Sequence, residues 1–101
     1  MARIGKSDAE KFLGNVPEEY VFRCNDGNIF RNIRELHQGL MTMSDEAFAF
    51  HANKDKNDFS RWVVDIIKDE QLAADLLKAT NRNQAVTSIA ARISFLSRKR
   101  R

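Results

Sequence analysis

The sequence predicts a mainly α fold, a compact bundle of five to six short helices with one short β-hairpin near residues 20–30. Three observations lead to this prediction. Apolar residues recur with the 3.6-residue period of an amphipathic helix in several separate segments. Residues 20–30 instead combine β-branched and aromatic residues with a tight-turn sequence. The 101 residues, 43% hydrophobic and 31% charged, have the composition of an ordinary globular domain.

We expect a single helical domain over residues 1–97, followed by a basic tail over residues 98–101. A chain of this length can bury about two-thirds of its unfolded surface, and no linker or repeat interrupts it. The single Cys24 excludes an internal disulfide, so a reducing, cytoplasmic setting is the simplest expectation. No apolar run approaches the roughly 20 residues of a membrane helix, and no signal-peptide core is visible, so we expect no membrane contact.

The first helix and the hairpin are predicted from capping and turn residues. Ser7-Asp8-Ala9-Glu10 has the pattern of a capping box, and Gly14 is placed to end the helix. Tyr20–Cys24 favours a strand, and Asn25-Asp26-Gly27-Asn28 is a turn sequence before Ile29-Phe30. Because a lone two-stranded hairpin is marginal in water, we expect it to lie against the helices.

The middle of the chain predicts three helices. The first follows Asn32 as its N-cap, and the second, short helix follows Ser44. An exposed loop is expected over residues 53–56, and Asn57 or Asp58 can cap the third helix. The apolar face of that third helix is formed by Phe59, Trp62, Val63, Ile66 and Ile67, with Ser60, Arg61, Asp65 and Lys68 toward water. The first of the three carries Ile33, Leu36, Leu40 and Met43 on one face.

Two more helices complete the predicted bundle. Asp69 is placed to cap the first of them, and Thr80 or Asn81 begins the second. The first has an apolar face of Leu72, Ala73, Leu76 and Leu77. The last helix has a longer stripe of Ala85, Val86, Ile89, Ala90, Ile93 and Leu96.

Several short motifs occur within residues 16–78: Asp26-Gly27, Ile33-Arg34-Glu35-Leu36, Met43–Phe48, His51, Asn57-Asp58-Phe59, Trp62 and Asp69–Ala73. With these motifs the chain resembles a family of small domains of unknown function that is frequent in archaea. The resemblance implies a mostly helical domain. Because no activity is associated with that family, it implies no catalytic residue and no cofactor.

Charge is distributed unevenly along the chain, although the formal net charge is only +3. Residues 1–43 carry six basic and six acidic side chains, and residues 44–78 carry five basic and eight acidic ones. Residues 79–101 carry six basic residues and no acidic residue. Those six are Arg82, Arg92, Arg98, Lys99, Arg100 and Arg101.

These six residues are the predicted nucleic-acid-binding site. The same charges have two alternative interpretations. They could form a solvated tail, or they could contact an acidic protein or lipid surface. Four basic residues in a row exceed what the helix dipole needs, and arginine suits bidentate contact with phosphate. No base-reading motif is visible, so we expect a non-enzymatic accessory protein that contacts backbone phosphates of RNA rather than DNA, as in a ribosome.

Two other hypotheses stay open. A protein-interaction module, in the form of a homodimer for example, would use an apolar helical face with Met41, Met43 or Phe95 exposed. An enzymatic hypothesis would use His51 with Asp58. The two histidines of the chain, His37 and His51, do not have the spacing of metal ligands. We expect His51 to pack on Phe59 or Trp62 and to bond a backbone carbonyl.

No catalytic residue, cofactor site or metal site is predicted. Cys24 follows Arg23 on a predicted strand, where neighbouring side chains point to opposite faces. The arginine is therefore not placed to activate the thiol.

Overall fold

The computed structural model describes residues 4–100, and in that range it contains six α-helices and one two-stranded antiparallel sheet. The predicted mainly α fold with a short hairpin is confirmed. The helices are α1, Lys6–Leu13; α2, Ile33–Thr42; α3, Asp45–His51; α4, Asp58–Trp62; α5, Glu70–Lys78; and α6, Arg82–Arg100. The strands are β1, Phe22–Arg23, and β2, Ile29–Phe30, with a 3₁₀ turn at Glu18–Tyr20 before β1.

The long last helix is the element on which the others assemble. α6 packs against α1, α2 and α5, and it buries Ala85, Ile89 and Leu96 of the predicted stripe. It continues without interruption through Arg100, so the segment predicted as a basic tail is helical as far as the structure describes it. The radius of gyration of 12.8 Å agrees with about 13 Å for a folded domain of 100 residues.

The hairpin is held against the helices by its two phenylalanines. Phe22 pairs with Phe30 across the strands, and both side chains are buried. The ring of Phe22 stacks on Phe59 of α4 at 5.1 Å between centroids. Phe30 lies directly on Gly39 of α2, where any Cβ would overlap the ring. The turn closes through Gly27, whose φ of 95° is a conformation that glycine adopts readily.

Four of the predicted N-caps are confirmed by hydrogen bonds to the first turn of their helices. The side chains of Asn32, Ser44, Asn57 and Asp69 accept from the backbone N–H groups of Glu35, Ala47, Ser60 and Leu72. The capping box predicted at Ser7 is wrong by two residues. α1 begins at Lys6, and it is the Gly5 N–H that donates to Asp8 Oδ2, at 3.3 Å.

The helix predicted after Asn57 changes its pitch half-way along. α4 ends at Trp62, and Val63–Ile67 forms a wider π-helical turn in which Lys68 N donates to Val63 O at 2.7 Å. The left-handed Lys68, with φ 76°, ends this turn. Because a π-turn advances fewer degrees per residue than an α-helix, Ile67 stays buried while Ile66 lies at the edge of the core.

Two side chains have the opposite exposure to the one predicted. Ser60 was predicted to face water, but it is buried and its Oγ donates to Ala73 O at 2.7 Å. This hydrogen bond gives the buried hydroxyl of Ser60 a partner in the contact between α4 and α5. Leu77 was predicted to face the core, but it is 66% exposed. It lies about 100° around the helix from Leu76, beyond the contact of α5 with its neighbours.

Candidate nucleic-acid interface

The predicted basic residues all lie on α6, apart from Arg101, which is outside the described residues. α6 is capped by Asn81, whose side chain accepts from Gln84 N at 2.9 Å. Because one face of α6 is buried, its other side chains lie either against neighbouring helices or in solvent. Whether each arginine is available to a partner therefore depends on its position on the helix.

Arg92 is held inside the fold. Its Nε and Nη2 atoms each donate to a carboxylate oxygen of Asp69 at 2.8 Å. The side chains of Arg92 and Asp69 are only 10% and 1% exposed. Asp69 also caps α5, so this pair ties α6 to the start of α5. A guanidinium engaged in this way is not free to bind a phosphate, and we remove Arg92 from the candidate interface.

Arg82 also has partners within the fold. Its Nη1 donates to the backbone oxygens of Leu40 and Met41 at 2.9 and 3.2 Å. Its Nε donates to Asp45 Oδ1 at 3.0 Å. The two carbonyls belong to the C-terminal turn of α2, where helical oxygens lack partners of their own. Arg82 thus caps α2, and we remove it from the candidate interface as well.

Arg98, Lys99 and Arg100 form the last turn of α6 and are exposed. None of the three forms an ion pair with another residue in the range 4–100 that the structure describes. The partial negative charge at the end of a helix favours cations there, which helps to keep the turn helical. Three positive charges within one turn remain available to a polyanion.

A fourth basic residue lies beside this turn, and the sequence did not identify it. Arg34 of α2 is exposed, and its Nη2 donates to Ser97 Oγ at 3.1 Å. The two residues are 63 positions apart, so only the packing of α2 on α6 brings them together. Arg34, Arg98, Lys99 and Arg100 are referred to below as the basic end.

Phe95 connects the buried and exposed parts of this surface. The ring is half-buried, with the Arg92 guanidinium 5.2 Å and the Lys99 ammonium 5.5 Å from its centroid. Cations at these distances are attracted by the ring electrons. Phe95 therefore packs on the core and supports Lys99.

The alternative enzymatic pair, His51 and Asp58, is assembled by the fold. The His51 side chain is 7% exposed, and its Nδ1 lies 2.9 Å from Asp58 Oδ2. Its Nε2 accepts a hydrogen bond from Asn25 N at 3.0 Å. The prediction that His51 bonds a backbone carbonyl is therefore wrong, while the predicted packing on Phe59 is confirmed at 5.4 Å.

The surroundings of Asp58 keep its carboxylate charged. Partial burial acts to raise the pKa of Asp58, but hydrogen bonds from His51 and Lys56 outweigh it, so the pKa lies below the ordinary value. Lys56 Nζ is 3.0 Å from Asp58 Oδ2. Both nitrogens of His51 are occupied by protein groups, so this geometry leaves neither directed at a substrate.

Cys24 has the environment of a structural thiol. It is buried, whereas Arg23 next to it is exposed, as the strand geometry predicted. Burial raises the pKa of the Cys24 thiol, which opposes formation of a reactive thiolate. Among residues 4–100 there is no group of three or more His, Cys, Asp or Glu side chains arranged to hold a metal ion.

The fold exposes only one of the apolar residues predicted for a partner surface. Met41 is 50% exposed, but Met43 is buried and Phe95 is half-buried against the core. Two other large apolar side chains, Phe50 and Leu77, are 55% and 66% exposed. No helix in the described range is both long enough and apolar enough to span a membrane.

Comparisons of the chain with protein-family models, with curated proteins and with solved structures found no match. The resemblance of residues 16–78 to an archaeal domain family stays a prediction.

Proposed function

We propose that this protein is a non-enzymatic accessory protein that contacts nucleic-acid phosphates through the basic end. The observation that carries the proposal is the exposed last turn of α6, where Arg98, Lys99 and Arg100 have no ion-pair partner within residues 4–100. Arg34 extends this positive surface onto α2. Arg101 follows directly in the sequence and adds to the same charge.

RNA is the favoured nucleic acid, and a ribonucleoprotein such as the ribosome is the proposed setting. Arginine, which predominates in the basic end, forms bidentate phosphate contacts and stacks on unpaired bases. A single helical turn of basic residues can contact the phosphate backbone of a nucleic acid, but it provides no set of side chains that could recognise base edges. Binding should therefore depend strongly on salt and weakly on sequence.

The test is the affinity for a labelled structured RNA, measured over a series of salt concentrations. Each lost phosphate contact should reduce the slope of log affinity against log salt by about 0.7 to 0.9. We expect a variant with Arg98→Gln, Lys99→Gln and Arg100→Gln to lose about 2 to 3 units of this slope. A circular dichroism spectrum would establish that the variant remains helical.

The matched control removes three charges from elsewhere on the surface. Lys54, Lys68 and Lys78 are all exposed, and their replacement by Gln changes the net charge by the same amount. We expect this control to retain most of the RNA affinity. Equal losses in the two triple variants would show that general charge, and not the basic end, is responsible, and the proposal would then be abandoned.

A protein-interaction module, with a homodimer as its simplest form, is the second candidate function. The exposure of Phe50 and Leu77 favours it. Leu77 borders a depression of about 570 Å³ beside residues 52–57, and Lys56 from that loop lies 4.9 Å over the Phe50 ring. Sedimentation at high salt distinguishes the candidates, because an apolar dimer persists there while a phosphate contact is lost.

A further inference from the structure

The buried His51 connects three parts of the fold through its two ring nitrogens. Nε2 accepts from the backbone N–H of Asn25, in the turn of the hairpin. Nδ1 pairs with Asp58 in the first turn of α4, and His51 itself ends α3. The hairpin turn and α3 are 26 residues apart in sequence, and this imidazole bonds one to the other.

These partners determine the form of the ring. A backbone N–H can only donate, so Nε2 must offer a lone pair to Asn25. The ring proton then lies on Nδ1, where it is donated to the Asp58 carboxylate. A second proton on Nε2 would point directly at the Asn25 N–H. The hydrogen bond to the hairpin therefore exists only while His51 is neutral.

We infer that His51 is a proton-sensitive latch that holds the hairpin turn against α3 and releases it when Nε2 is protonated. The inference rests on the two hydrogen bonds and on the burial of the ring, and it does not depend on the proposed RNA contact. Histidine is the side chain that ordinarily changes charge between about pH 5 and pH 8, which makes a proton the natural signal for such a latch.

The charged and titratable groups around the ring favour a local change over collapse of the fold. On the α4 side, Asp58 would stabilise the imidazolium, and Lys56 beside it offsets part of that effect. On the hairpin side are the buried Cys24 thiol and the exposed Asp26 carboxylate. The imidazolium would keep its bond to Asp58 while the Asn25 N–H loses its acceptor.

Release of the turn would uncover aromatic surface. Phe22 of β1 lies edge-on to His51, with 5.1 Å between ring centroids, and it also covers Phe59 and Trp62. If the turn moves away, the side of Phe22 that packs on His51 becomes accessible. The latch thus couples the charge of one buried group to the exposure of an apolar cluster.

The inference is tested by NMR on the whole chain. Imidazole nitrogen shifts should show His51 in the Nδ1–H form at neutral pH, with the partly exposed His37 as an internal reference. Hydrogen exchange rates, corrected for the intrinsic effect of pH, measure the hydrogen bond of the Asn25 amide. The protection factor of this amide should fall about fivefold when His51 is protonated, which is the change expected for one lost hydrogen bond. Ala73 in α5 should keep its protection.

A His51→Gln variant provides the matched control, since its side-chain oxygen can accept from Asn25 but does not titrate. Protection of Asn25 should then be independent of pH. In an Asp58→Asn variant, which loses the negative partner, the loss of protection should move to lower pH. The inference is overturned if Asn25 keeps its protection while His51 titrates, or if His51 stays neutral until the whole chain unfolds. Persistence of the pH dependence in His51→Gln would overturn it as well.

Discussion

The body of α6 and its last turn carry the same kind of side chain, but the fold uses them differently. Arg92 is 10% exposed and bonds both oxygens of a buried carboxylate, whereas Arg98 is exposed without an ion-pair partner in the described range. Residues 79–101 contain no acidic residue, yet Asp45 and Asp69 from other parts of the chain form ion pairs with arginines of this segment. An acid-free stretch of sequence is therefore not an unneutralised surface.

Removal of Arg92 should give the largest effect on stability. Arg92→Ala would leave Asp69 buried without its cation, which should cost about 3 to 5 kcal/mol of the free energy of unfolding. Urea unfolding measures this loss. Arg98→Ala, a change of the same type six positions further on, should stay within about 0.5 kcal/mol of the wild type. Similar costs at the two positions would remove the distinction between body and end.

Arg82 should give an intermediate effect. Arg82→Ala removes the donor to the Leu40 and Met41 carbonyls, and we expect a loss of about 1 to 2 kcal/mol in the same urea experiment. The loss is smaller than for Arg92 because the partner Asp45 is 84% exposed and can be hydrated. Arg82→Lys retains the charge without the fork of donors, so it should restore only part of the stability. Full restoration by lysine would show that charge alone acts at this site.

Sequence reasoning succeeded where the determining residues are close together in the chain. The N-caps at Asn32, Ser44 and Asp69 depend on a side chain and a backbone N–H three residues away. The hairpin depends on a turn whose Gly27 adopts a positive φ. These features are local, and the pattern of side chains contains the information that determines them.

It failed where the outcome depends on distant packing. The roles of Arg92 and Arg34 require partners 23 and 63 residues away, at the N-cap of α5 and on α6. The π-turn at Val63–Ile67 alters a period that otherwise suits an α-helix. For the candidate site, the sequence located the exposed turn at 98–100 but did not separate it from the two structural arginines or include Arg34.

A new carboxylate near the end of α6 should convert an exposed cation into a paired one. Ser94 is exposed and lies four residues before Arg98, so Ser94→Glu places an acid next to that guanidinium. This arrangement contributes only about 0.2 to 0.5 kcal/mol to the helix, but it should occupy one cation of the basic end. We expect the salt slope of RNA binding to fall by about 0.7 to 0.9, while the free energy of unfolding in urea changes by no more than about 0.5 kcal/mol.

Ser94→Gln is the matched control, because it has nearly the same shape as the glutamate without the charge. It should bind RNA as the wild type does. If glutamine weakens binding as much as glutamate, the position acts through shape and the added charge is irrelevant. If neither variant changes the slope, Arg98 makes no phosphate contact, and the proposed interface would have to exclude it as the structure already excludes Arg92. That result would show that Arg98 is exposed to solvent without contributing its charge to RNA binding.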